Sequence, residues 1–115
     1  MVEQDAERLD AVFHALSDRT RRAMLRALAQ GERSVSDLAA PHAMTLAGAS
    51  KHVAVLERVG LVRRELRGRS RVCRLTPGPL GEANSWLDYY ERFWNARLDA
   101  LDALFAAEHS KGGPR

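Results

Sequence analysis

Residues 34–75 read SVSDLAAPHAMTLAGASKHVAVLERVGLVRRELRGRSRVCRL, and the order of signals in them decides the fold. Ser34 offers a side-chain oxygen ahead of a short segment with Val35, Leu38 and Ala39 inward, and Pro41 ends it because proline has no amide hydrogen with which to continue a helix. After the connection 41–44, Thr45 caps a longer helix that carries Ala49, Val53, Val55 and Leu56 and stops at Gly60. Residues 61–75 then hold two strand-compatible runs around Gly68-Arg69, with Arg71, Cys73 and Leu75 on one face by the period of two. A helix, a turn and a second helix are thus followed by a short hairpin bearing Arg63, Arg64, Arg67, Arg69, Arg71 and Arg74.

Outward from this stretch the pattern stays helical. Leu9, Val12, Phe13 and Leu16 make one apolar stripe on a first helix from Asp5 to Leu16. Ser17 and Asp18 offer N-cap oxygens to a second helix with Ala23, Met24, Ala27 and Leu28 buried, ending at Gln30-Gly31. Thr76-Pro77-Gly78-Pro79 breaks the chain before a long final helix, 80–107, on which Trp86, Leu87, Tyr90, Phe93, Trp94, Leu98, Leu101, Leu104 and Phe105 recur at steps of three and four. The expected fold is mainly α with a small β-hairpin wing: a winged helix-turn-helix of five helices with long N- and C-terminal helices for dimerisation. One domain is expected over residues 1–108, with 17–75 as DNA-binding core, 5–16 and 80–107 as dimerisation helices and 109–115 as a disordered tail.

Composition narrows the function. At 115 residues there is room for one modest core and little for a separate catalytic domain. Neither a secretory leader nor a run of 18 apolar residues is present, so a cytoplasmic protein without a membrane partner is expected. A single cysteine, Cys73, excludes an internal disulfide and any multi-thiolate metal site within one chain. The net charge of +3 conceals a basic middle: residues 17–75 carry thirteen Lys and Arg against Asp18, Glu32, Asp37, Glu57 and Glu65, whereas both ends are acidic. Such a distribution points to a polyanion on the middle segment.

In a winged helix-turn-helix the second helix of the pair enters the major groove and the hairpin lies along the backbone. That places Thr45, Ala47, Gly48, Ser50, Lys51 and His52 against base edges and phosphates, small side chains permitting close approach. Taken alone, Ser50 and His52 are ordinary solvated helix residues; the basic hairpin beside them favours the DNA reading. Arg63, Arg64, Arg67, Arg69 and Arg71 suit phosphates or a narrow minor groove better than the lysines that usually protect a sheet edge. The alternative, a winged-helix module for protein contacts alone, calls for acidic or apolar wing residues. No glycine-rich phosphate loop, activated nucleophile or paired carboxylates support an enzyme, and no cofactor is expected.

The segments Ala15-Leu16-Ser17-Asp18-Arg19-Thr20-Arg21-Arg22, Ser34-Val35-Ser36-Asp37-Leu38-Ala39, Ser50-Lys51-His52-Val53-Ala54-Val55-Leu56, Gly60-Leu61-Val62 and the Arg-Gly-Arg wing closely resemble ArsR-type winged-helix repressors, over roughly residues 9–106. The resemblance implies repression by a homodimer joined through the first and last helices, and it matches Ser50 and His52 to the family's recognition-helix Ser-x-His. Leu9, Val12, Phe13, Leu16, Trp86, Tyr90, Phe93, Trp94, Leu98, Leu101 and Phe105 are the expected interface. The aromatic final helix looks like a branch often encoded beside small lipid-binding-fold proteins.

The chain departs from the family's metal sensors. Val35, Ser36, Asp37 and Leu38 stand where a Cys-x-Cys type motif would, and the final helix lacks histidine before His109, so no metal site is expected. His14 and His42 have no partner at ligand spacing, and Cys73 reads as a small buried hydrophobe. An unidentified small-molecule inducer is compatible with this pattern, Trp86, Tyr90 and Trp94 being able to line an apolar groove.

Overall fold

Asp18, Ser34 and Thr45 begin helices by the same device. Each holds extended backbone and accepts a hydrogen bond from the amide three residues on: Arg21 N to Asp18 Oδ2 at 2.9 Å, Asp37 N to Ser34 Oγ at 3.0 Å, and Gly48 N to Thr45 Oγ1 at 3.0 Å. The computed structural model describes the backbone of residues 2–112 and the side chains of 4–108. Helix α1 spans Val2–Leu16, α2 Arg19–Ala29, α3 Val35–Ala39, α4 Leu46–Arg58 and α5 Gly78–Gly112. Helix α1 therefore starts ahead of the expected Asp5. Helix α5 runs past the expected Ala107, so residues 109–112 continue a helix instead of forming part of a disordered tail, and 113–115 lie outside the described residues.

The hairpin is β2, Val62–Arg67, against β3, Ser70–Leu75, in the register Val62↔Leu75, Arg64↔Cys73 and Arg67↔Ser70. Gly68 alone of the two turn residues has positive φ, +61°, as a type II′ turn requires at its first central position. A further strand, β1 at Arg33–Ser34, pairs antiparallel with β3 through Arg33↔Cys73 and Ser34↔Val72, so the expected hairpin is a three-stranded sheet in the order β1-β3-β2. Two residues carry no readable alternation, and only their pairing makes them a strand. Pro41 ends α3 as expected, and Ala40–His42 continue as one 3-10 turn closed by Ala43 in the left-handed region.

Helix α4 ends in a paired motif around Gly60, whose φ is +81°: Leu61 N donates to Leu56 O and Gly60 N to Glu57 O, both at 2.9 Å. This reversal drops Leu61 and Val62 into the core. Met24, Leu28, Leu38, Val53, Leu56, Leu61 and Cys73 are buried there, each large aliphatic side chain adding on the order of 1.5–3 kcal/mol. On α2, Leu25 is buried and Ala23 and Ala27 are half-buried, a stripe turned slightly from the expected one. Val12 is a clearer correction: expected at a dimer contact, it is 2% exposed and belongs to the core of its own chain, whereas Leu9, Phe13 and Leu16 pack partly buried against that core.

The chain divides into two units, one up to Ala83 and one from Asn84 onward. The first holds the core, closed by Leu80 and Ala83 at the start of α5 and by an ion pair of Arg8 with Glu82. The second is helix alone, so it has no interior of its own. Among the described residues no helix is long and apolar enough to cross a membrane.

Candidate nucleic-acid interface

Ala49, Val53 and Leu56 turn inward from α4, so Ala47 and Lys51 stand outermost, Ser50 lies on one flank and His52 on the other. Thr45, Ala47 and Lys51 are exposed; Gly48, Ser50 and His52 are half-buried. The first turn of α4 contains no acidic residue, leaving its free amides and the positive end of the helix dipole open to an anion.

The wing arginines separate into different environments. Arg64 is folded inward with its side chain 13% exposed, donating to Glu57 Oε1 from Nη2 at 2.6 Å and Nε at 3.1 Å, and to Ser50 Oγ from Nη1 at 2.9 Å. Arg67 makes a forked pair with Glu32 at 2.8 and 2.9 Å and also meets Glu65. Arg74 Nη2 reaches Glu65 at 3.0 Å, and Arg63, mostly exposed, stands 4.0 Å from the same carboxylate. Arg69 and Arg71 are exposed and have no acidic partner among the described residues. Glu57, Glu32 and Glu65 thus occupy several of the arginines, a pairing across the fold that no spacing in the sequence discloses.

An open groove of about 640 Å³ runs between the start of α4 and the wing. Its walls include Ser36, Leu46, Ala47, Ser50, Arg69 and Arg71, with Arg64 at the back, and no carboxylate lines it. Serine hydroxyls and guanidinium groups without a competing acid form a receptor for a phosphate backbone. Ser34, Val35 and Ser70 also line the groove, and with Ser36 and Leu46 they are the members that sequence reasoning missed. Leu46 is 57% exposed, an apolar side chain at the mouth that only the placement of α4 reveals.

On the other flank, Arg21 is buried at 9% exposure. Its Nε donates to Ala15 O at 2.7 Å and Nη2 to His14 O at 3.1 Å, so the carbonyls and the negative end of α1 receive its charge. Nη1 lies 3.3 Å from His52 Nδ1, and Asp18 Oδ2 lies 3.8 Å from the same nitrogen. The backbone amide of Arg21 holds the Asp18 carboxyl below its ordinary range; partial desolvation opposes this, and the His52 and Arg21 charges assist it. Both Asp18 and Arg21 are functional candidates by position that their helix-cap context masked in the sequence.

Cys73 is fully buried, and desolvation pushes its thiol up despite the nearby Arg64 charge. His14 is exposed and His42 half-buried, and no group of three or more His, Cys, Asp or Glu gathers at metal distance among the described residues. In the second unit Trp86, Tyr90, Phe93, Trp94, Leu98, Leu101 and Phe105 are all exposed, with Trp86 and Tyr90 ring centroids 4.9 Å apart. Their three- and four-residue spacing makes one broad apolar face.

Residues 16–65 match a family described as a helix-turn-helix domain. The chain is 34% identical over 99 residues to the HTH-type transcriptional regulator Rv2034 of Mycobacterium tuberculosis, covering 86% of this chain and 90% of the relative. A crystal structure of an ArsR family transcriptional regulator, RHA00566, is 38% identical with a TM-score of 0.71, over 78% of this chain and 93% of that one. The solution structure of the homodimeric winged helix-turn-helix DNA-binding domain of Mb0332 from Mycobacterium bovis, 28% identical, superposes with a TM-score of 0.61 over 96% of this chain and 88% of that one.

Proposed function

Because the chain belongs to the ArsR family of winged helix-turn-helix transcriptional regulators, we propose that it represses transcription by binding an inverted-repeat site on double-stranded DNA as a homodimer. Helix α4 enters the major groove with Ala47, Gly48, Ser50, Lys51 and His52, and the wing tip lies on the backbone. The observation that carries this reading is the acid-free groove between α4 and the wing, with Arg69 and Arg71 unneutralised at its rim. Arg63 and Arg67 approach phosphates by exchanging surface carboxylates for them, whereas Arg64 works from within by holding Ser50.

The dimer is supported by the apolar face of α5. Exposed aromatic and aliphatic side chains at Trp86, Tyr90, Phe93, Trp94, Leu98, Leu101 and Phe105 exceed what a soluble monomer ordinarily leaves in water, and a second copy of the same helix supplies matching chemistry. Leu9, Phe13 and Leu16 join this contact in the proposal; Val12 does not. The site of action is the compartment holding the chromosome, the cytoplasm.

Selection of duplexes from a random library by the purified protein tests the whole reading. The expected result is an enriched inverted repeat with half-site centres about one helical turn, ~34 Å, apart, bound with affinity that falls steeply with salt. No enrichment together with salt-independent retention overturns it in favour of a protein-contact module.

A further inference from the structure

The contact between Arg21 and His52 fixes more than a side-chain position. A guanidinium carries five N–H donors and no acceptor, so a hydrogen bond from Nη1 to Nδ1 at 3.3 Å requires that nitrogen to bring its lone pair. In a neutral imidazole the proton then resides on Nε2. The competing arrangement, an Nδ1–H aimed at Asp18, sets N–H against N–H at Arg21 and finds its acceptor only 3.8 Å away, beyond hydrogen-bond reach. Asp18 Oδ2 already receives the Arg21 amide at 2.9 Å.

Arg21 cannot readily swing away to admit that arrangement. Its other nitrogens satisfy the His14 and Ala15 carbonyls in the last turn of α1, and moving it strands those groups together with a buried charge. The far ring nitrogen of His52 tells the other half. Nε2 has no hydrogen-bond partner among the described residues, yet no buried side-chain nitrogen or oxygen there lacks one, so Nε2 opens to solvent. His52 itself follows the exposed Lys51 on α4.

We infer that Arg21 locks His52 as the Nε2–H tautomer, making it a fixed hydrogen-bond donor that recognises an acceptor atom of DNA, a purine N7, a guanine O6, a thymine O4 or a phosphate oxygen. The inference rests on the reading of α4 as the DNA-facing helix. A donor of fixed sense discriminates: it donates to N7, O6 or thymine O4 and finds no acceptor in the exocyclic amino groups of adenine and cytosine, which are donors themselves. Arg21 is the positioning residue, since it acts on DNA only through His52.

Long-range proton–nitrogen correlation spectra of the ¹⁵N-labelled full chain, recorded without DNA at pH about 8.5, above the ordinary histidine range, read the tautomer directly. The His52 ring is expected in the Nε2–H pattern, and an Nδ1–H pattern or an even mixture overturns the inference. Arg21→Ala should move the ring toward Nδ1–H. Should that variant fail to fold, Asp18→Asn, which keeps a capping oxygen and removes the rival carboxylate, must leave the Nε2–H pattern intact, and its loss there overturns the inference.

On a duplex selected by the wild-type protein, His52→Gln retains an amide donor near the Nε2 position and is expected within about threefold of wild type, whereas His52→Asn and His52→Ala lose about tenfold or more. Equal losses for Gln and Ala overturn the donor's role. A 7-deazapurine that weakens wild type but not His52→Ala identifies a base N7 as the acceptor. A guanine lacking O6 or a thymine lacking O4 with the same coupling identifies that oxygen, and a methylphosphonate with it identifies a phosphate. No coupling to any of them overturns the DNA contact. An empty selection removes the DNA reading and with it the donor's role, while the spectrum still decides the tautomer.

Discussion

Arg64 Nη1 and Ser50 Oγ are joined by a hydrogen bond of 2.9 Å that ties the wing to the groove-facing flank of α4. With Glu57 taking the other side of the same guanidinium, Arg64 is a strut between the two elements that the proposed function brings to DNA together. Arg64→Ala is expected to leave Glu57 and Ser50 without their donor and to lower unfolding free energy by about 1–2 kcal/mol in urea titration. Because Glu57 is one-third exposed and water replaces part of the pair, Arg64→Met combined with Glu57→Leu should recover most of that loss. An Arg64→Ala protein as stable as wild type refutes the strut.

Arg69 and Arg71 should behave in the opposite manner. Neither has an acidic partner among the described residues, so alanine at either is expected to change stability by no more than about 0.5 kcal/mol. Each substitution should instead weaken binding to selected and scrambled duplexes alike and reduce the salt slope by about one unit. Fluorescence anisotropy at several salt concentrations separates the outcomes, and a loss confined to the selected duplex means that the wing reads bases.

Asp18 predicts an acid-dependent contribution. Its folded carboxyl titrates below the ordinary value of 3.8, chiefly because it accepts the Arg21 amide, so its stabilisation is complete above that value and is lost as pH falls through the folded one. Asp18→Ala is expected to cost about 1 kcal/mol at pH 7 through the lost cap. The gap between wild type and Asp18→Asn should narrow as pH drops below about 4. An unchanged gap at pH 7 and pH 3 contradicts the assigned charge effect.

Cys73 should be chemically silent in the folded protein. Burial raises its thiol above the ordinary value of 9.0 and excludes reagent. Native protein at pH 8 is expected to resist iodoacetamide and to react fully in denaturant. Rapid native labelling, followed by mass spectrometry, indicates an opening of the β2–β3 sheet near Arg64.

Trp94, 67% exposed on the apolar face of α5, tests assembly. Trp94→Asp is expected to shift sedimentation from dimer to monomer at micromolar concentration, since a carboxylate desolvated in an apolar contact costs several kcal/mol. Wild-type protein sedimenting as a monomer under those conditions removes the dimer.

The caps at Asp18, Ser34 and Thr45, the stop at Gly60, the turn at Gly68 and the apolar stripe of α4 were determined by the sequence itself. Each depends on a backbone geometry or periodicity confined to a few neighbouring residues, so the residue type suffices to announce it. Tertiary structure alone decided which arginines are spent on the protein. Arg64 meets Ser50 across 14 residues, Arg21 meets His52 across 31 and Arg67 meets Glu32 across 35. It also made β1 a strand, by supplying β3 as a partner, and placed Val12 inside its own core when α1 settled on that core. A charge or a methyl group carries no mark of its future neighbour, and those neighbours are chosen only when the helices pack and the sheet closes.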